Sequence, residues 1–181
     1  MTDIPDPESP EGANGNDGEG GGGNSFIHAH AQYIKDLSFE NPLALEVATS
    51  EDLNPQVNVN CSVDASQLGD QTYEVVLSLE ARAIREEKTL FLISIDYAGL
   101  FSLTNVPDEH LGSILNIHCP TLLFPFARSI IANMTRDGGY PALMIDMIDF
   151  STLYERGLKA MKDNTGGENG GSDASTDGDG A

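Results

Sequence analysis

The chain has 181 residues, with 29 acidic and nine basic side chains and a formal net charge of −20 at pH 7. Nucleic acids and anionic membrane surfaces bind clustered Lys and Arg, so this excess of acid argues against both as partners, although it permits attraction to a basic protein surface. No uninterrupted apolar run approaches the roughly 20 residues of a membrane span, and the N-terminus lacks the pattern of a signal peptide, so we expect neither membrane insertion nor secretion. Cys61 and Cys119 show no C-x-x-C spacing and are expected to be free thiols in a reducing cytoplasm.

The apolar residues are concentrated in the middle of the chain. Segments 1–24 and 163–181 are rich in Gly, Asn and acidic residues, and together they hold 11 of the acids and no base. Such segments cannot bury enough surface to offset the entropy of ordering, so both are predicted to be disordered acidic tails. The remaining segment, 25–162, is long enough for one domain of ordinary size.

The domain begins with an H-x-H pair and an alternating run. His28 and His30 could bind a metal on a strand face, but no Cys lies nearby, and a mobile lead-in to the first strand is the simpler interpretation. Residues 33–40 then alternate as in a strand with one solvated face. The buried face is expected to hold Tyr33, Leu37 and Phe39, and the solvated face Asp36, Ser38 and Glu40.

Three further alternating runs, 56–64, 72–83 and 89–101, predict three more strands. Their short connections favour an antiparallel meander, whereas residues 43–55 have no clear period and are expected to form a long, partly helical connection. We therefore predict an α+β domain, in which a four-stranded antiparallel sheet carries helices on its one apolar face.

The second half of the domain changes to helical periodicity. A short helix is predicted from about Pro107 to Ile117, and Cys119–Pro120 is expected to break it, because the residue before proline avoids the helical region. A long helix then ends near Arg136, with a distorted or late first turn at Pro125, which lacks an N–H donor. Its apolar stripe is wide enough to need a sheet, another helix or both as packing partners. Asp149 is expected to cap a last helix over about 150–161.

No catalytic motif of the G-x-S-x-G, Walker, H-E-x-x-H or zinc-finger type occurs in the sequence. Asp36 and Glu40 could serve as general acid and base only in a pocket that perturbs their pKa values, and ordinary solvated acids are the simpler interpretation. The unusual feature is surplus apolar surface in the sheet, the long helix and the loop 140–148. Such surface, together with methionines late in the chain, is typical of oligomerisation or of a protein-binding groove.

Three ordered segments resemble the SecB family of protein-export chaperones. They are YIKDLSFENP at 33–42, YEVVL at 73–77 and CPTLLFPFAR at 119–128. The resemblance covers most of 31–162 and implies a SecB-like fold, a homotetramer built as a dimer of dimers, and no enzymatic activity or cofactor. It also implies a cytoplasmic chaperone that holds unfolded preproteins and delivers them to the SecA motor ATPase.

The resemblance also implies three sets of functional residues. The outer sheet surface that docks the zinc-bearing C-terminal segment of SecA corresponds to Asp36, Glu40 and Leu92. One acidic position of that surface is Ser94 here, and Glu74 or Glu80 could compensate for the missing charge. The client-binding groove corresponds to Tyr140, Leu143, Met144, Ile145, Met147, Phe150 and Tyr154. The oligomer interface corresponds to Leu122, Leu123, Phe126, Ile130, Ile131 and Met134.

Two alternatives remain open from the sequence. One is a SecB-like chaperone that controls a toxin–antitoxin pair without coupling to SecA, against which the retained Asp36 and Glu40 argue. The other is an enzyme that uses these two carboxylates, which would require an enclosed pocket around them.

Overall fold

Four long strands form a single antiparallel sheet in the computed structural model, which describes residues 26–49 and 54–165. The strands are β1 (Phe26–Glu40), β2 (Gln56–Gly69), β3 (Thr72–Arg85) and β4 (Lys88–Thr104), in the spatial order β1-β4-β3-β2. The helices are α1 (Ala44–Ala48), α2 (Asp108–Ser113), α3 (Cys119–Asp137) and α4 (Phe150–Thr165). The predicted α+β fold is confirmed. The predicted tail 1–24 lies outside the described residues. Of the predicted tail 163–181, residues 163–165 form the end of α4, so the prediction of disorder is wrong for these three, and the remainder lies outside the described residues.

The core lies between the sheet and α3. Burial alternates strictly along β3 from Tyr73 to Ala83, and the inner-face residues of β4 are buried as well, although Leu90 and Ala98 between them are also buried. The helix α3 covers this inner face with Leu123, Ala127 and Ile131, all fully buried. Burial of Leu123 and of Ile131 contributes about 1.5–3 kcal/mol each. Gly99 allows the close approach of α3 to β4, because a Cβ there would lie 2.8 Å from Cδ2 of Leu123 and 2.6 Å from Cε2 of Phe101.

Strand β1 is longer and less regular than the sequence pattern indicates. It begins at Phe26, so the His-containing lead-in is part of the strand and pairs with β4. The register shifts between Ala29 and Ala31 and again between Ile34 and Asp36, which makes His30 and Lys35 extra, bulged residues. A bulged residue reverses the alternation of the residues beyond it.

The bulge at Lys35 corrects the predicted position of Tyr33. Leu37 and Phe39 pair with Ile95 and Ile93, which are buried on the inner face. Tyr33 lies on the opposite, outer face, where its hydroxyl donates a hydrogen bond to Glu74. The prediction that Tyr33 shares a face with Leu37 and Phe39 is therefore wrong.

The helices α2 and α3 are joined without a break, contrary to the predicted interruption at Cys119–Pro120. One π-helical turn, Ile114–His118, connects them, and the irregularity lies directly before Pro120, whose ring nitrogen cannot donate a backbone hydrogen bond. Asn116 and Thr121 donate side-chain hydrogen bonds to the carbonyls of Gly112 and Ile117 around this turn. Pro125 lies inside regular α-helix, so the local distortion predicted at that residue is not found.

The continuous helix from Asp108 to Asp137 has 30 residues. By length and apolar composition alone, it could cross a membrane. The packed helix of a globular domain meets the same criteria. Here the buried stripe of the helix lies against β3 and β4, so the sheet accounts for its apolar character.

Candidate binding surfaces

A long apolar groove follows the edge strand β2. Three adjoining hollows of about 260, 560 and 340 Å³ lie between this strand, the loop 140–149 and α4, and neighbouring hollows share lining residues. We call this continuous feature the β2 groove. Its lining includes Val57, Val59, Cys61, Leu143, Met144, Met147, Leu153, Tyr154, Leu158 and Met161. Because β2 is an edge strand, the groove also runs beside backbone groups that have no neighbouring strand among the described residues.

Three hydrogen bonds of two buried side chains, Thr135 and Tyr140, fix the loop wall of the groove. The hydroxyl of Thr135, fully buried on α3, accepts a hydrogen bond of 2.9 Å from the backbone N–H of Leu143. The Tyr140 hydroxyl is hydrogen-bonded at 2.8 Å to Oδ1 of Asn41 and at 2.9 Å to the carbonyl of Leu90, and burial raises the pKa of this phenol. These contacts hold an irregular segment against the end of the sheet.

The helical wall of the groove is fixed at its N-terminus. Oδ1 of Asp149 accepts hydrogen bonds from the backbone N–H groups of Ser151 and Thr152 at 3.0 and 3.2 Å. The predicted cap of the last helix is therefore confirmed. Hydrogen bonds from Ser151 and Thr152 lower the pKa of Asp149 to about 2.

Six of the seven predicted groove residues line the groove. Leu143, Met144, Ile145, Met147 and Tyr154 lie along its two larger hollows, and Tyr140 closes the end near Phe91. Phe150 is instead a core residue, buried against Phe124 with ring centroids 6.0 Å apart. The residues missed from the sequence are the β2 side chains and the C-terminal part of α4. The sequence signal for β2 is only the alternation of Val57, Val59 and Cys61, which predicts a strand but does not show that it lies at an edge.

The outer face of the sheet carries acidic and polar side chains. We call the group Asp36, Glu40, Glu80, Leu92, Ser94 and Asp96 the outer-face patch. In the strand register, Glu40 pairs with Leu92 and Asp36 pairs with Asp96, so the three residues predicted from the sequence share one surface. The side chains of Asp36 and Glu40 are exposed on this open face rather than enclosed, which argues against the enzymatic alternative.

Two glutamates near Ser94 have different environments. Glu80 lies directly opposite Ser94 on β3 and is exposed, so it can supply an acid beside the position that lacks one. Glu74 faces the same side but is 2.6 Å from Nζ of Lys35 and also accepts the Tyr33 hydroxyl. These two hydrogen bonds lower the pKa of Glu74. Of the two, Glu80 is therefore the one available to a basic partner.

The predicted oligomer-interface residues divide into two groups. Leu123 and Ile131 are fully buried under the sheet and cannot contact another chain. Leu122 and Phe126 are 48% and 52% exposed, Ile130 and Met134 are half-buried, and the ring of Phe126 stacks on Tyr97. We call Leu122, Phe126 and Ile130 the α3 strip. The α3 strip is the solvent-facing part of the apolar stripe of α3, which the sequence pattern does not divide into a buried and an exposed part.

His28 and His30 lie side by side on β1. Their ring centroids are 4.5 Å apart, and Nε2 of His30 is 2.6 Å from Oγ of Ser102. Within the described residues, no group of three or more His, Cys, Asp or Glu side chains could hold a metal ion.

Comparison with known proteins identifies the family. Residues 23–161 match the family model of SecB, the preprotein translocase subunit SecB. The chain belongs to the SecB family. It is 47% identical over 133 residues to the protein-export protein SecB of Bradyrhizobium sp. strain BTAi1, a match that covers 74% of this chain and 82% of that protein. It is 45% identical over 146 residues to the protein-export protein SecB of Parvibaculum lavamentivorans, which covers 79% of this chain and 87% of the relative.

A solved structure shows the same fold. The SecB-like chaperone Rv1957 of Mycobacterium tuberculosis, in complex with a peptide from the HigA1 antitoxin, matches with a TM-score of 0.51 and 14% identity, over 67% of this chain and 87% of that one. At this identity the likeness concerns the fold alone. Membership of the SecB family makes the chain a chaperone of protein export and translocation, and SecB is a chaperone family rather than an enzyme family.

Proposed function

We propose that this SecB chain holds unfolded preproteins in the β2 groove without using ATP and delivers them to SecA through the outer-face patch. The observation that carries the proposal is the groove itself, which is apolar, open along its length and bordered by an unpaired strand edge. An unfolded chain offers apolar side chains and free backbone groups, and such a groove satisfies both without selecting one sequence.

The adaptable lining of the groove supports binding to many clients. Met144, Met147 and Met161 are flexible side chains that can repack around different partners. Binding is expected to be weak at each contact. Several grooves in one assembly that act on a single client would raise avidity by roughly 10²–10⁴ through effective concentration.

We propose a homotetramer, a dimer of dimers, in which the α3 strip is buried between chains. The support is an apolar surface that the domain leaves in water, which is typical of an interface. We further propose that the assembly works in the cytoplasm and requires no cofactor, nucleic acid or membrane insertion. Segments 1–24 and 166–181 are proposed to be solvated acidic tails on either side of the domain. Light scattering should give about four times the monomer mass; a monomer would refute this part.

Client binding is tested by the refolding of a preprotein. The assembled protein should slow refolding in the absence of nucleotide, because bound segments are withheld from folding. Replacement of Met144 by Asp would place a charge in the groove and should weaken client binding about tenfold. Replacement of exposed Thr104 by Asp, at the end of β4, adds the same charge away from both the groove and the α3 strip, and it should leave client binding unchanged. Unaltered refolding of the preprotein in the presence of wild-type protein would refute the proposal.

SecA docking is tested with the C-terminal zinc-bearing segment of SecA as a peptide. Asp36→Asn with Glu40→Gln should weaken peptide binding about tenfold and reduce its salt dependence, because two charges that attract a basic segment are removed. The matched control, Asp108→Asn with Glu109→Gln, makes the same change in charge on α2. Equal losses in both variants would show that net charge, rather than the outer-face patch, determines binding.

A further inference from the structure

The methionines that the described chain exposes to solvent all lie in one place. Met144, Met147 and Met161 are 59%, 74% and 69% exposed, and each lines the β2 groove. The remaining described methionine, Met134, is half-buried and packs against the core. The accessible thioether sulfur of the domain is therefore concentrated on the surface that we propose for clients.

We propose that the β2 groove is an oxidation site, in which conversion of Met144, Met147 and Met161 to methionine sulfoxide reversibly weakens client binding. The inference rests on the proposed function of the groove. The co-reactant is a two-electron oxidant that donates an oxygen atom, such as hydrogen peroxide.

The chemistry of the step is balanced without any group from the protein. The thioether sulfur attacks one peroxide oxygen, the O–O bond breaks and an S–O bond forms. The sulfur loses two electrons, and the peroxide is reduced to one molecule of water. Sulfoxide reductases reverse this product, whereas the higher oxidation states of cysteine are largely irreversible.

The geometry directs oxidation to thioethers rather than to the nearby thiol. Cys61 also lines the groove, but burial raises its pKa to about 11, so almost none of it is the reactive thiolate at neutral pH. Cys119, the first residue of α3, is fully buried. A thioether needs no deprotonation, so exposure decides its reactivity, and exposure selects the three groove methionines.

The consequence for binding follows from polarity. A sulfoxide replaces a flexible apolar side chain with a polar, chiral one, and a client that covers it must strip water from the new oxygen. Three such changes lie within one apolar lining. We expect affinity for an unfolded client to fall about tenfold or more, while the sheet and α3, which hold no exposed methionine among the described residues, stay folded.

The test uses the full chain in its assembled form and reduced, carboxamidomethylated α-lactalbumin as a permanently unfolded probe. The protein is treated with hydrogen peroxide, the sites of oxygen addition are located by peptide mass spectrometry, and probe affinity is measured before and after treatment. Sulfoxide should appear at Met144, Met147 and Met161 before Met134. Affinity should fall about tenfold, and a methionine sulfoxide reductase should restore it.

Three variants make the test specific. The triple replacement Met144→Leu, Met147→Leu and Met161→Leu keeps the apolar volume but removes all three exposed thioethers. Relative to its own affinity before treatment, it should lose less than twofold on oxidation. Met134→Leu, as the matched control, and Cys61→Ala should both remain as sensitive as the wild type. Full sensitivity of the triple variant, or unchanged affinity of the fully oxidised wild type, would overturn the inference. Failure of the untreated protein to bind the probe would instead overturn the proposed function.

Discussion

Replacing Thr135 with Val should loosen the wall of the β2 groove without rearranging the core. Valine has nearly the shape of threonine, so the fully buried site stays filled. The Leu143 N–H, 2.9 Å from the threonine hydroxyl, loses its acceptor in a partly buried position. A donor left in this state costs about 1–3 kcal/mol. The hydroxyl also donates to the carbonyls of Ile131 and Ala132, but these belong to the backbone ladder of α3, so their loss adds little.

The net effect is expected to be a loss of about 1–2 kcal/mol in the free energy of unfolding, after the gain of about 0.8 kcal/mol from one more buried apolar carbon. Thr135→Ser is the matched control. It keeps the hydroxyl and loses one methyl group, which costs about 1 kcal/mol without disturbing Leu143. The two variants therefore have similar overall stability but differ at one hydrogen bond.

Urea unfolding measures the overall change, and hydrogen exchange of the Leu143 amide measures the local one. In Thr135→Val, exchange at Leu143 should accelerate about tenfold more than exchange at Ile95 in the centre of β4, which reports global unfolding. In Thr135→Ser, the two amides should change in parallel. If Leu143 remained as protected in Thr135→Val as in Thr135→Ser, the hydroxyl would not be what holds the loop.

Three further predictions concern other parts of the fold. Asp149 has a pKa of about 2 in the folded chain and an ordinary value of 3.8, so the stability it gives α4 is full above pH 4 and is lost as pH falls towards 2. Asp149→Asn should therefore reduce the pH dependence of the thermal unfolding midpoint over this range. If the pH dependence were the same as in the wild type, the cap would be contradicted. Gly99→Ala should lower the free energy of unfolding by about 1–3 kcal/mol through overpacking against Leu123. Gly157→Ala has open space around the new Cβ and should be neutral or stabilising. Equal urea midpoints for the two variants would refute the close approach of α3 to β4. Phe126→Ser should shift light-scattering mass towards smaller species with unchanged circular dichroism; retention of the full assembly would exclude the α3 strip as an interface.

The strands and their faces were predictable because β3 and β4 are central and buried on one side. Alternation from Tyr73 to Ala83 then translates directly into inner and outer residues. The same reasoning failed in β1, an edge strand with two bulges. Lys35 carries no local signal of a bulge, since its position is fixed by pairing with β4 and by the contact with Glu74. A pattern of period two cannot reveal a register shift that a distant partner imposes.

The helical half shows a similar limit. The prolines predicted a break at Cys119–Pro120 and a distortion at Pro125, and both predictions were wrong, because the irregularity lies in the π-helical turn Ile114–His118 before Pro120. The apolar stripe of α3 predicted contacts but could not separate Leu123, which faces the sheet, from Leu122, which faces solvent. The loop wall of the groove was expected from the resemblance to the SecB family, and composition showed only that the loop 140–148 is unusually apolar. The β2 wall was missed because an edge strand and a central strand have the same alternation.

The sheet order has a consequence for the transfer of a client. Asp36 lies on β1 at one edge and on the outer face, whereas the β2 groove follows the opposite edge, with β4 and β3 between them. Three strand spacings separate the two edges, about 14 Å in all. On the proposed assignments, a bound preprotein and a docked SecA would not compete for any side chain. Both partners could then be bound at once, so a ternary complex is expected rather than displacement of the client from a shared site.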